Sequence, residues 1–250
     1  MTRVDDSDVT EAGSNPLLPE YHKKSIRSFV IRGGRMTDGQ RAAFEKHWPT
    51  YGLSLHSRAA LEARLQAAKD EGKSIVLEVG FGMGDSLFEM ARADQNSLFV
   101  GIEVHPPGVG RLMHLAAGEG LSNLCVFMAD ATDVIKDCFA EACVDRFQLY
   151  FPDPWHKAKH HKRRILNEAF LLEILRVLKP SGIFHMATDW EPYAESAMEL
   201  LSREEALENA SGAYLFAERP DYRPETKFER RGERLEHVVR DLLFVKPELR

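Results

Sequence analysis

The sequence predicts an α/β fold, a mostly parallel, doubly wound sheet with helices on both faces. Three observations predict it. Five short, continuous apolar runs recur along the chain: SIVLEV (74–79), LFVGIEV (98–104), LCVFM (124–128), FQLYF (147–151) and GIFHMAT (182–188). Runs of this kind mark strands buried on both faces. Segments of helical period lie between them, and strands alternating with helices build βαβ units. A glycine-rich turn follows the first run directly, the place where a doubly wound sheet receives its ligand.

Each element follows in order. Residues 1–20 hold one Arg against five acids, with Pro, Ser, Asn and Gly among them, and read as a disordered acidic tail. Residues 21–56 form a basic, then aromatic, N-terminal extension; from Lys23 to Arg41 there are six cations and one acid. The main domain spans 57–250. It opens on a helix over 58–71, with Leu61, Leu65 and Ala68 on one face. A second clear helical period covers 163–178, where Ile165, Ala169 and Leu172 align. AYLFA (213–217) and DLLFV (241–245) read as two final strands around the charged stretch 218–240.

Composition sets the outer bounds. With 44% hydrophobic residues, 250 residues bury a sizeable core without disulfides. Cys125, Cys138 and Cys143 show no C-x-x-C spacing and fall in apolar contexts, so they read as buried thiols of a reducing cytoplasm. No signal peptide and no 18-residue apolar run occur, so a soluble protein with no membrane partner is expected. The net charge of -6 argues weakly against a nucleic-acid partner. It conceals two basic patches, however: residues 156–164 carry +5 and residues 23–41 another +5. An acidic body with two such patches steers RNA onto one face.

The chemistry begins at Glu78-Val79-Gly80-Phe81-Gly82-Met83-Gly84-Asp85. A dinucleotide fingerprint needs glycine where Asp85 stands, so Gly80, Gly82 and Gly84 form a different cradle. Glu78 beside it would repel a pyrophosphate and suits a ligand bearing positive charge. Glu103, 21 residues after Gly82, stands where an acid accepts bonds from ribose hydroxyls. Asp130, after the third strand, is placed either for an exocyclic amino group of adenine or as a helix cap. The three acids with the glycine loop point to an adenosine-containing cationic cofactor, and S-adenosylmethionine fits.

The fourth strand ends in Phe151-Pro152-Asp153-Pro154-Trp155-His156-Lys157. Two prolines stiffen the backbone around Asp153, and Trp155 offers a plate for a nucleobase. The other reading of Pro-Asp-Pro is an ordinary turn with a capping Asp. The run that follows, Lys157, Lys159, His160, His161, Lys162, Arg163 and Arg164, reads as a phosphate-backbone footprint, since cations at a helix start oppose its dipole. His156 and His160 have metal-compatible spacing, but no acid or thiol completes a set, and no metal is expected. Asp189, in Thr188-Asp189-Trp190-Glu191, caps the next helix or binds substrate. Thr226, Lys227, Phe228 and Glu229 suit either a substrate-facing loop or a plain surface loop.

Together these residues resemble the bacterial tRNA (guanine-N7-)-methyltransferases. The matching pieces are RSFVIRGGRMT, LEVGFGMG, GIEVHPPGVG, FPDPWHKAKHHKRR, FHMATDWEPYAE and TKFERRG, in family order from about Arg27 to Val245. The resemblance implies a Rossmann-like class I methyltransferase fold, a seven-stranded sheet of order 3-2-1-4-5-7-6. It implies S-adenosylmethionine contacts at Glu78, Glu103 and Asp130, with Asp153 beside the methyl donor as the catalytic residue. It implies tRNA contacts at Lys157, at 159–164, at Asp189 and from Thr226 to Glu229. The implied substrate is the guanine at position 46 of the tRNA variable loop.

Overall fold

A computed structural model describes residues 21, 26–30, 36–225, 229 and 238–248. The acidic tail lies outside these residues, as do Thr226, Lys227 and Phe228. Eight strands form one sheet: β1 (Gly52–Leu53), β2 (Ser74–Val79), β3 (Ser97–Ile102), β4 (Leu124–Phe127), β5 (Val144–Tyr150), β6 (Leu178–Thr188), β7 (Glu208–Asn209) and β8 (Arg240–Val245). Their spatial order is β1-β4-β3-β2-β5-β6-β8-β7. Counted from β2, this is the expected 3-2-1-4-5-7-6, with one more strand than expected. The addition is β1, which extends the sheet parallel to β4 at one edge. Only β8 runs antiparallel to its neighbours β6 and β7.

Alternation along the strands sorts the core onto two faces. Ile75, Leu77 and Val79 of β2 face α2 (Arg58–Asp70), α5 (Ala131–Cys138), α6 (Glu168–Val177) and α7 (Glu191–Ser202). Val76 faces α1 (Asp38–Tyr51), α3 (Asp85–Ala93) and α4 (Pro106–Gly118). Helix α2 buries Leu61, Leu65 and Ala68 as the spacing requires. Helix α1 starts with a capping box in which Thr37 and Gln40 exchange side-chain bonds at 3.2 and 2.9 Å. That cap contributes about 1 kcal/mol, less than the roughly 1.5–3 kcal/mol of burying one large apolar side chain. Packing therefore sets the place of α1. Phe44 and Met36 press on Gly110 of α4, and the Tyr51 hydroxyl donates to the Leu121 carbonyl at 2.9 Å.

Three local expectations are corrected. The helix expected over 163–178 begins at Glu168, where the Asn167 side chain accepts from the Phe170 amide at 3.1 Å; the basic run before it is a 3₁₀ turn, Ala158–Arg163. The run 213–217 is no strand beyond a bridge from Ala217 to Asp241. The Asn209 side chain donates to the Leu215 carbonyl at 3.1 Å, closing a local turn where a ladder was expected. Cys125 and Cys138 are buried as expected, but Cys143 is half-exposed.

Candidate active site

A cavity of about 770 Å³ opens at the carboxyl ends of β4, β3, β2 and β5. This is where the strand order reverses, between β2 and β5, and where open α/β sheets bind ligands. Ala129, Glu103, Gly80, Gly82 and Asp153 line it.

The glycine loop is built for close approach. A side chain at Gly80 or Gly82 would project into open space at positive φ, so the bare backbone leaves room for a ligand. Gly84 has another task. A Cβ there would lie 2.7 Å from Leu112 Cβ, so Gly84 lets α3 pack on α4. The start of α4 presses on the loop at Gly108, where a Cβ would lie 1.8 Å from the Gly82 carbonyl oxygen.

Glu103 accepts from the amides of Gly82, Val104 and His105 at 2.7, 2.6 and 2.9 Å, which fixes its carboxylate at the rim of the loop. Burial lifts its pKa above the ordinary glutamate value; the three amides oppose the lift and the charge of Asp153 adds to it. Glu78 does not line the cavity, although Val79 and Gly80, next in the chain, do. It is fully buried, its Oε2 has no hydrogen-bond partner, and burial with help from Glu103 pushes its pKa to about 8 against the pull of Arg146. Two buried acids behind an open glycine cradle fit a ligand that brings positive charge and no phosphate. Asp130 caps α5, its Oδ1 accepting from the Thr132 amide at 2.9 Å, and its neighbours Ala129 and Ala131 line the cavity.

Asp153 is exposed and lines the same cavity. Phe151 and Trp155 on either side of it both have φ near 48°, a left-handed conformation costly for aromatic residues. The loop is held from several directions. Trp155 Nε1 donates to the Ser28 carbonyl at 3.3 Å, the Arg163 guanidinium stacks 4.0 Å above the Trp155 ring, and His156 packs edge-on against Trp190 at 4.3 Å. Ser28, Phe29 and Val30 of the N-terminal extension line the same cavity.

The basic run divides in two. Lys157, Lys159, His161 and Lys162 are exposed, and His160 is half-buried at the cavity rim. Burial and the surrounding cations lower the His160 pKa. Arg163 donates inward to the Arg27 and Phe29 carbonyls at 2.9 and 3.3 Å. Arg164 is buried; it donates to the Pro154 carbonyl and the Ser196 hydroxyl and lies 4.5 Å over the Tyr193 ring. Its guanidinium is committed within the protein, so the footprint expected for all six cationic positions of 159–164 is narrower at the surface.

Asp189 is exposed and does not cap α7, which corrects one of its two readings; the N-cap position is Trp190, whose amide is bound by Thr188 Oγ1 at 3.2 Å. Glu229 is buried and ion-paired to Arg223 at 2.6 Å, away from the cavity lining. Sequence reading missed Arg146, His185, Arg223 and Asp241, buried or half-buried polar groups near the site. A signal existed for His185: it interrupts an otherwise apolar strand. Among the described residues, no group of three or more His, Cys, Asp or Glu could hold a metal ion, and no helix is long and apolar enough to cross a membrane.

Residues 72–242 match a family described as putative methyltransferase. The tRNA (guanine-N(7)-)-methyltransferase of Saccharophagus degradans is 57% identical over 230 residues, covering 91% of this chain and 98% of its own. That of Alcanivorax borkumensis is 49% identical over 230 residues, covering 91% and 95%. Among solved structures, the aminoglycoside resistance methyltransferase NpmB1 superposes with a TM-score of 0.51 at 19% identity, over 76% of this chain and 93% of its own. The antibiotic-resistance methyltransferase Kmr gives 0.51 at 16% identity, over 77% and 94%. At such identities these two share the fold alone.

Proposed function

The chain belongs to the tRNA (guanine-N(7)-)-methyltransferase family, and from that premise we propose that it methylates N7 of the guanine at position 46 in the tRNA variable loop. The cofactor is S-adenosylmethionine. The site residues fit it: Gly80 and Gly82 leave room for it, Glu103 lines the cavity as an acceptor that would suit ribose hydroxyls, and buried Glu78 favours a cationic ligand. When bound, it supplies an electrophilic methyl group on a sulfonium.

That chemistry asks the protein for no general base, because guanine N7 offers a lone pair and has no proton to lose. What the residues must do is orient the base and accommodate charge. Asp153 can accept from guanine N1–H and the N2 amino group, and its negative charge stabilises the positive charge that develops on the methylated ring. Lys157, Lys159, His161 and Lys162 form an exposed basic rim beside it that suits tRNA phosphates. In this reading Asp189 contributes a further polar contact at the next strand end, and the work is done in the cytoplasm, where tRNA is.

The observation that carries the reading is that Asp153 lines the same cavity as the glycine loop and Glu103. The test is incubation with methyl-labelled cofactor and unmodified bulk tRNA, then nucleoside analysis. Labelled 7-methylguanosine is expected, and a transcript with adenine at position 46 should take no label. Label in any other nucleoside, or undiminished label in that transcript, overturns the assignment.

A further inference from the structure

Behind the glycine loop, one face of the sheet carries a row of polar side chains. Glu78 of β2 pairs in register with Gln148 of β5, and Gln148 with His185 of β6; all three are buried. Strand alternation puts Arg146 and Tyr150, on either side of Gln148, on the same face. Arg146 is thus the diagonal neighbour of Glu78 across the β2–β5 pair.

Both members of this diagonal keep a buried atom unpaired: Arg146 Nε and Glu78 Oε2 have no hydrogen-bond partner. The guanidinium is seated elsewhere, its Cζ 3.9 Å from the centroid of the Tyr222 ring. That ring is itself fixed, because the Tyr222 hydroxyl meets His185 Nδ1 at 3.0 Å while His185 Nε2 meets Asp241 Oδ1 at 2.7 Å. With Nε2–H donated to the carboxylate, Nδ1 accepts from Tyr222 and from Tyr150, whose hydroxyl lies 2.9 Å away. A cation stacked on a desolvated aromatic face is held there by the ring's own field.

An acid buried alone stays protonated, and a neutral carboxyl offers no charge to a cationic ligand. An acid in a close ion pair has its charge already matched. Arg146 creates neither case: it favours the ionised form of Glu78 through a low-dielectric interior without a bond to it. Among the described residues, Glu103 just after β3 and Tyr150 on β5 also act on this carboxyl or feel it. The helices over this face, α1, α3 and α4, bury apolar side chains and Tyr51, whose hydroxyl is bound to the Leu121 carbonyl. Of these groups Arg146 alone is a cation.

Resting on the cofactor assigned above, we propose that Arg146 is a positioning residue for it: seated on Tyr222, it is the counter-charge that lets Glu78 ionise when the cationic cofactor arrives.

NMR of the free protein with isotope-labelled glutamate follows the Glu78 carboxyl, whose signal is the one lost in Glu78→Gln. Its midpoint, about 8 in the wild type, should move upward by about one pH unit in Arg146→Met. Arg146→Lys keeps the charge and should return it to within about half a pH unit of wild type. Tyr222→Leu lets the guanidinium hydrate and should also move the midpoint upward. Calorimetry of S-adenosylmethionine binding from about pH 6 to 9 is the second readout: the pH at which affinity levels off should follow the NMR midpoint. In the Glu78→Gln background, Arg146→Met should leave the pH profile of cofactor affinity unchanged. An unmoved or lowered midpoint in Arg146→Met, a midpoint that Arg146→Lys fails to restore, or a profile still altered in the double variant each overturn the proposal. Should Arg146→Met fail to fold, Tyr222→Leu decides, and an unmoved midpoint there overturns it. A wild-type protein that binds no cofactor overturns the functional reading instead, and the NMR titration still decides the counter-charge.

Discussion

Arg164 Nε donates to the Pro154 carbonyl at 2.9 Å, so a buried cation at the end of the basic run holds the backbone next to Asp153. Its Nη1 reaches Ser196 in α7 at 2.8 Å, tying the loop to a helix of the core. Arg164→Ala should therefore act on the loop. The loss of charged hydrogen bonds should cost about 1.5–3 kcal/mol of stability, with turnover falling and the salt dependence of tRNA binding unchanged. Thermal unfolding together with a salt titration of tRNA affinity checks this. A flatter salt slope in a fully stable variant would return Arg164 to the phosphate footprint.

The exposed lysines should behave in the opposite way. Lys157, Lys159 and Lys162 have their charge in solvent. Replacing all three by Ala should lower the magnitude of the slope of log affinity against log salt by roughly three and leave cofactor binding intact. Filter binding of tRNA across a range of salt concentrations measures this slope. An unchanged slope would place the RNA face elsewhere.

The contrast between Arg164 and these lysines shows where sequence reading reaches and where it stops. Strand cores were legible because burial on both faces leaves continuous apolar runs, and β2 was readable residue for residue. Glu103 and Asp153 were legible because a position at a strand end is fixed by local spacing, and both line the cavity. Which cation of a dense run turns inward was not legible. That depends on Pro154 and Ser196, ten and 32 residues away, and spacing carries no sign of either. The pairing of Arg223 with Asp241 was hidden for the same reason: both looked like ordinary charges around the last strand.

Asp153 itself is exposed and fixed by a strained, pinned loop, so its substitution should not disturb the fold. Asn at this position still accepts one bond but offers no charge to the methylated ring. Asp153→Asn should lower kcat by about a hundredfold or more, the scale of losing one stabilising group aimed at developing charge. Cofactor Kd should stay within about threefold of wild type. Single-turnover kinetics with calorimetry of cofactor binding separates the two effects. Turnover near the wild-type rate would remove Asp153 from the chemistry.

Glu78 should couple cofactor binding to pH. With its pKa pushed to about 8 by burial, from an ordinary value of 4.5, the carboxyl is mostly protonated at pH 7 in the free protein. Between those values the folded state holds a proton that the unfolded chain has released. The contribution of Glu78 to the stability of the free protein therefore falls as pH rises from about 4.5 to 8, the reverse of a salt-bridged acid. Glu78→Gln should remove its share of that slope, leaving the part that Glu103 contributes, and stabilise the free protein at pH 8 by about 2–4 kcal/mol. A cationic ligand nearby favours the ionised form, so cofactor binding should expel a proton near pH 7 and tighten as pH rises toward 8. Glu78→Gln should lose both the proton release and the tightening. Calorimetry in buffers of differing ionisation enthalpy counts the proton, and urea unfolding from pH 5 to 8 gives the slope. The same pH dependence of stability in the wild type and in Glu78→Gln would show that Glu78 does not hold a proton in this range.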